Sequence, residues 1–142
     1  MKTGRLLTIC TLALGLCAVL PVPFVSAEIP ESAKNAMREA AEEQIEIKVV
    51  SVKQKAGILR FNLKLVVLAE VTEVRSSKTK LKVGDQITIE YSSPNPKAGD
   101  PPPGSYPRVL REGETCMAYL ESEPVKEAEK RVYTPAAASG SF

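Results

Sequence analysis

Few residues in this 142-residue chain can do acid–base or metal chemistry, because the sequence contains no histidine. The absence of histidine removes the commonest general base, the usual partner of a nucleophilic serine or cysteine, and the commonest metal ligand. The sequence also has no P-loop and no dinucleotide-binding fingerprint. Carboxylates, one cysteine and a proline-rich loop remain as candidates.

Three carboxylates lie in the segment LKVGDQITIEYSSPNPKAGDPPPG (81–104), which has the clearest turn and strand pattern of the chain. Asp85 follows Gly84, where a short acidic side chain usually bonds the backbone of a turn. Glu90 alternates with the apolar residues of a strand, so we expect it to face solvent. Asp100 lies in the loop beyond. We predict no catalytic residue among them, and a carboxylate-dependent hydrolase or transferase that uses Asp85 or Asp100 is the alternative.

Cys116 is the one cysteine outside the N-terminal segment that contains Cys10 and Cys17. A single cysteine cannot form an internal disulfide and cannot build a structural zinc site. Cys116 alternates with Ala118 and Leu120, as on the buried face of a strand, and free cysteine is among the most buried residue types. We therefore predict a core residue, no disulfide, no metal and no other cofactor. The alternative is a reactive or pairing thiol in a self-associating envelope protein.

The loop from 92 to 108, SSPNPKAGDPPPGSYPR, is long for a small domain. Long loops are usually functional or disordered. Its three consecutive prolines, 101–103, favour an extended polyproline II segment that loses little entropy on binding. Tyr106 is an aromatic residue of the type enriched at interfaces. We predict that Tyr91, Tyr106 and Arg108 contact a partner, and the alternative is a rigid strap across one end of the fold.

The first 27 residues have the three parts of a secretory signal peptide. Lys2 and Arg5 form a basic start, Leu6–Leu20 carries no charge, and Val25-Ser26-Ala27 has small residues where a signal peptidase reads. The apolar run is shorter than the roughly 20 residues that a membrane-spanning helix needs. We predict export, cleavage after Ala27 and no stable membrane insertion of the mature chain.

The mature chain, from residue 28 to 142, is expected to be electrically neutral. Removing Lys2 and Arg5 balances the basic residues with the 17 acidic ones. Neutrality gives no electrostatic reason to bind nucleic acid or an anionic membrane. Extracellular animal domains of this size usually depend on disulfides or carry glycosylation sequons, and the mature sequence offers neither. We predict a bacterial periplasmic or secreted protein whose partner is another envelope or extracellular protein.

Hydrophobic periodicity predicts a helical lead over residues 28–44 and one barrel domain over 45–142. The lead has a helical stripe with Ser32 placed as its N-cap; the stripe consists of Ala33, Ala36, Met37, Ala40, Ala41 and Gln44. From Ile45 the period becomes two, with a phase slip after Val49 that is typical of a β-bulge.

Residues 61–74 predict a single strand that would be about 48 Å long if flat, so it must bend. Val74 indicates a second phase slip in that strand. Three further strands are predicted at 86–91, 116–120 and 132–134. Five strands and a minor helix favour a mainly β fold, a small five-stranded OB-like barrel with one short N-terminal helix, because closure removes exposed edges.

Four segments follow one another in an order that resembles uncharacterised secreted bacterial proteins with an OB-like barrel. They are VLAEVTEV (67–74), LKVGDQITIEY (81–91), LREGETCMAYLE (110–121) and YTPAAASGSF (133–142). That group is distantly similar to the netrin/TIMP-like fold. The resemblance covers about residues 45–142 and implies the barrel, export and, by analogy, a protein-binding role.

The chain departs from the TIMP pattern at the expected mature N-terminus. TIMP-type metalloprotease inhibitors begin with a cysteine that chelates the zinc of the protease and are braced by disulfides. Here the expected first residue is Glu28, followed by Ile29 and Pro30. Zinc chelation by that route is not open to this chain.

Overall fold

The computed structural model describes residues 28–57, 61–95, 97–99, 104–123 and 131–142. Within them the chain forms a helix, five strands and a C-terminal 3₁₀ turn. They are α1 (Glu31–Ala40), β1 (Glu43–Ala56), β2 (Asn62–Ser77), β3 (Gln86–Pro94), β4 (Thr115–Ser122), β5 (Val132–Pro135) and the 3₁₀ turn Ala138–Gly140. The expected signal peptide, 1–27, and residues 100–103 of the proline-rich loop, which include Asp100, lie outside the described residues.

The five strands close into a barrel in the order β1-β2-β3-β5-β4, with β4 returning to pair with β1. The β3–β5 pair is parallel and the other pairs are antiparallel. This is the order of an OB-type barrel, so the predicted mainly β, five-stranded OB-like fold with one short helix is confirmed.

Period-two alternation fills the barrel, as the sequence pattern predicts. Over the central part of β1, β2 and β3 every second residue points inward, and the side chains of this inner set are at most 7% exposed. The inner set is Ile45, Ile47, Val49, Leu65, Val67, Ala69, Val71, Ile87, Ile89 and Tyr91, joined by Ala118, Leu120 and Tyr133 from β4 and β5. Burial of this apolar area supplies the main driving force for folding.

Both predicted phase slips correspond to β-bulges in the β1–β2 pair. On β1 the register shifts between Val49 and Ser51, which leaves Val50 exposed outside the ladder. On β2, Thr72 and Arg75 are the residues without a partner on β1. Each bulge bends its strand and increases its twist, which allows two long strands to wrap around a small core.

The helix differs from its prediction in both its cap and its buried face. Pro30 is the N-cap residue and no side chain caps it, so the prediction for Ser32 is wrong. Lys34 is buried, whereas Met37 and Ala40 of the predicted apolar stripe are exposed. Gln44 belongs to β1, and its amide donates to the carbonyls of Arg38 and Glu39 at the end of the helix.

Arg38 connects α1 to the C-terminal turn and explains which face the helix buries. Its Nε donates to the carbonyl of Gly140 over 2.7 Å, and its guanidinium lies 5.8 Å from the centre of the Tyr119 ring. A Cβ atom at Gly140 would meet the guanidinium at 3.0 Å, so this close approach favours glycine. A polar side chain with a long apolar stem therefore does the packing that alanines were predicted to do.

Candidate functional site

The described part of the proline-rich loop starts later than predicted, because β3 continues through Ser92 and Ser93 to Pro94. Ser93 is buried, and its hydroxyl donates to the carbonyl of Pro107 over 3.1 Å. The inward-facing side chains of β3 thus hold the returning part of the loop. We call residues 105–110 the strap.

Tyr91 forms the main anchor of the strap. Its hydroxyl donates to the carbonyl of Arg108 at 3.0 Å and accepts from the N–H of Leu110 at 3.2 Å. The ring is 7% exposed and lies 5.4 Å from the Phe142 ring, centre to centre. Burial raises the pKa of the Tyr91 hydroxyl, which keeps it protonated and able to donate. The structure places Tyr91 in the core, so its contribution to any contact surface would be to position the strap.

The other end of the strap meets the N-terminal lead. The hydroxyl of Ser105 accepts from the N–H of Ile29 at 3.0 Å. Tyr106 is half-buried and its ring lies over Gly104, where an added Cβ would be 3.2 Å from ring atoms. Gly104 has φ +156°, a backbone conformation that residues with side chains rarely adopt, so both this conformation and the nearby Tyr106 ring favour glycine.

Arg108 is exposed, as a contact residue must be, and it pairs with the Glu114 carboxylate across the turn that precedes β4. Partial burial raises the pKa of Glu114. The hydrogen bonds from the Arg108 side chain and the Arg111 backbone N–H outweigh that effect and hold the pKa below its ordinary value. Glu114 is therefore a stable anion that fixes the Arg108 guanidinium in place.

An open depression of about 680 Å³ lies beside this ion pair. Its lining consists of residues 108, 109 and 111–114, which we call the turn depression. Gly113, at φ +78°, allows the tight turn, because the left-handed region favours glycine. The Arg111 side chain is exposed and makes no ion pair among the described residues.

The structure brings only one of the three predicted contact residues to this depression. Arg108 lines it, Tyr91 supports it from the core, and Tyr106 packs against the start of the strap. Arg111 and Glu112, which also line the depression, were not among the contact residues predicted from the sequence. Alternating charges in a turn next to an expected contact residue were the available signal.

Asp85 and Glu90, the two described residues among the carboxylates singled out in the sequence, have structural partners. Asp85 accepts from the N–H of Lys82, as predicted for a turn residue, and its carboxylate lies 3.0 Å from the guanidinium of Arg131. Glu90 forms an ion pair with Lys64 at 3.3 Å. Among the described residues, no cluster of three or more acidic or cysteine side chains is arranged to hold a metal ion.

Cys116 is a free thiol, and it is partly buried against the core. It lies opposite Ile47 in the β1–β4 ladder. Burial raises the pKa of its thiol, and only the positive charge of Arg108 works in the other direction. A thiol with a raised pKa is a poor nucleophile near neutral pH.

No family model matches this chain, and neither the curated proteins nor the solved structures include a match to it. In the part of the chain that the structure describes, no helix has the length and apolar character needed to cross a membrane.

Proposed function

We propose that this chain is an exported, single-domain OB-like binding or accessory protein that acts without catalysis on another envelope or extracellular protein. The observation that carries the proposal is the turn depression, with its exposed arginine and its fixed backbone. Arg111 projects beside a depression whose walls are held by the strap and by the Arg108–Glu114 pair. Arginine is enriched at protein interfaces, and Arg111, which makes no ion pair among the described residues, is available to a carboxylate of another chain.

Rigidity of the depression favours binding. The hydroxyls of Tyr91 and Ser93 fix the backbone from Pro107 to Leu110 before any partner arrives. A surface that is already ordered loses little conformational entropy when it binds. The strap and the contact surface are thus two parts of one arrangement, in which buried β3 side chains position residues that solvent can reach.

The two alternatives have less support. For a carboxylate enzyme, Asp85 is engaged by Arg131 and by the turn backbone. For a self-associating protein linked through a disulfide, Cys116 is partly buried and its pKa is raised by that burial. Neither group has the exposure or the activating neighbours that the alternative function would need.

The test is to capture partners with the whole chain, produced in an exporting bacterial host. The affinity tag belongs directly after residue 27, because Phe142 packs against Tyr91 and a C-terminal tag would disturb that contact. Captured envelope proteins are identified by mass spectrometry, purified and titrated against the tagged chain by calorimetry.

Two charge reversals separate the turn depression from surface charge in general. Arg111→Glu reverses a charge in the depression, and Lys82→Glu makes the same change at another exposed position without an ion pair among the described residues. We expect Arg111→Glu to weaken binding of the purified partner at least tenfold and Lys82→Glu to change it less than twofold. Equal effects of the two changes, or no protein that binds when purified, would contradict the proposal.

A further inference from the structure

In the half of β1 nearest the β1–β2 turn, one edge has no strand paired with it among the described residues. β4 pairs with β1 only from Glu43 to Lys48. The turn before β4 then bonds both backbone groups of Val49, and the Glu112 carboxylate accepts from the N–H of Val52. Beyond that hydrogen bond, no described residue bonds this side of the strand as far as Ala56, and we call residues 52–56 the open edge.

The alternation of strand hydrogen bonds shows which backbone groups face the open edge. The N–H of Gly57 donates to the carbonyl of Asn62 on the β2 side, so residues 55, 53 and 51 also face β2. The even-numbered residues therefore point their backbone groups away from β2. These groups are the carbonyl of Val52, both groups of Gln54 and the N–H of Ala56, a ready template for an added strand.

Side chains beside the open edge favour an acidic strand. Lys53 and Lys55 are exposed and make no ion pair among the described residues. Lys64, opposite Lys55 in the ladder, is paired with Glu90, so the positive charge that remains free for a partner on this face is that of Lys53 and Lys55. The other face carries Val52, which packs against the core. An incoming strand would meet lysines on one face, and Val52 with the exposed side chain of Gln54 on the other.

We propose that the open edge of β1 binds an extended segment of a partner protein in which acidic residues alternate with apolar ones. The segment adds to the barrel as a further strand, with its carboxylates beside Lys53 and Lys55. This inference rests on the proposed binding function and names the chemistry of the partner. The added strand would lie in line with β4, and the turn depression begins where Glu112 bonds Val52.

A second copy of this chain fits the edge poorly. Antiparallel pairing of two open edges about a two-fold axis would place Lys53 and Lys55 of one copy beside the same lysines of the other. Like charges directly opposite in a ladder are destabilising, and lysines on edge strands commonly prevent such self-pairing. The same lysines attract an acidic strand, so charge selects between the two occupants.

The probe is an acetylated, amidated nine-residue peptide of alternating glutamate and valine, titrated into the whole exported chain labelled with ¹⁵N. A peptide with lysine in place of glutamate tests the charge. A third peptide, N-methylated at every second backbone nitrogen, keeps the side chains and removes the hydrogen bonds on one side. We expect both changes to weaken binding at least tenfold, and added salt to weaken the glutamate peptide, since surface charge pairs are screened.

Amide exchange locates the bound peptide. We expect exchange at Gln54 and Ala56 to slow at least tenfold when the glutamate peptide binds, because their N–H groups gain acceptors. The variant K53E/K55E should prefer the lysine peptide. K80E/K82E, which reverses two exposed lysines at the same spacing on the β2–β3 loop, should behave as the original chain does.

Each other outcome overturns the inference. Peptide-induced shifts confined to residues 108–114 would move the site to the turn depression and leave the proposed function intact. Absence of binding by the glutamate peptide, or equal binding by the N-methylated one, would remove strand addition. Dimerisation of the free chain with protection of Gln54 would assign the edge to a second copy.

Discussion

The variant Tyr91→Phe, which removes one oxygen atom, tests whether the Tyr91 hydroxyl holds the strap through its two hydrogen bonds. The phenylalanine keeps the ring and its contact with Phe142, and loses both hydrogen bonds of the hydroxyl. Water can replace the lost donor at the carbonyl of Arg108, because that residue is exposed. Leu110 is 1% exposed, so its N–H would remain buried without a partner.

The expected loss of stability follows from that buried N–H group. A buried donor left without an acceptor costs about 1–3 kcal/mol. We therefore expect the free energy of unfolding to fall by about 2 kcal/mol, which corresponds to a melting temperature roughly 6–10 °C lower for a domain of this size. Urea unfolding gives the value, and the midpoint should move while the slope stays the same.

Tyr119→Phe is the matched control. It deletes the same atom from a half-buried tyrosine whose hydroxyl has no hydrogen bond among the described residues, and it leaves the ring beneath Arg38. We expect a change within about 0.5 kcal/mol, as for most surface substitutions. Amide exchange should accelerate at Leu110 in Tyr91→Phe alone. Equal losses of stability in the two variants, or unchanged amide exchange at Leu110, would refute the conclusion that the Tyr91 hydroxyl holds the strap in place.

Three further predictions concern charge, reactivity and packing. Lys78 and Ser122 lower the pKa of Glu42 from 4.5 to about 2, so its stabilising effect is complete above pH 4.5 and is lost as the pH falls towards 2. Unfolding curves measured over that range should accordingly be less pH-dependent in Glu42→Gln. Cys116 should react with a thiol reagent at pH 7 at least ten times more slowly than a cysteine in a short peptide, and non-reducing gels should show no difference between the chain and Cys116→Ser. Ile47→Val, at a position with 0% exposure, should cost about 1 kcal/mol in urea unfolding.

The barrel could be predicted because apolar and polar residues alternate along its strands, and because the places where this alternation is interrupted are visible in the sequence. The phase slip after Val49 and the one near Val74 each correspond to a bulge in the β1–β2 pair. A long strand whose alternation shifts by one residue contains a β-bulge and therefore bends. A bent and twisted sheet of five strands can close into a barrel. Local pattern and global fold agree along this part of the chain.

The buried face of α1 could not be predicted in the same way. Alanines at helical spacing suggested a packed stripe, but the helix instead buries Lys34 and the stem of Arg38. A stripe of small residues offers little area, whereas long charged side chains can cover apolar surface while their heads find partners. The partners of Arg38, Gly140 and Tyr119, lie about a hundred and about eighty residues further along the chain. They meet Arg38 only in the folded protein, so no local pattern displays the contact.

The candidate site was predicted in part for a related reason. Tyr91, Tyr106 and Arg108 are near one another in sequence, yet only Arg108 lines the turn depression. The inward direction of Tyr91 follows from its alternation with Ile87 and Ile89, a pattern that is visible in the sequence and that argues against a direct contact role. The depression itself arises from tertiary packing of the strap against the turn.

The unequal lengths of the strands connect the strap with the open edge. β1 has 14 residues and β4 has 8, so β4 can close only one half of the barrel against β1. Over the other half, the strap crosses from Ser93 to the turn at Val49 and covers the core with its own backbone and side chains. The buried backbone groups of the strap need hydrogen-bond partners, because an unpaired polar group is costly away from water. The Tyr91 hydroxyl is the partner of the Arg108 carbonyl and the Leu110 N–H. Residues 53–55 of the open edge are exposed, so water can satisfy their backbone groups without such a cost. The core can therefore be complete while β1 keeps an edge that a partner strand can use.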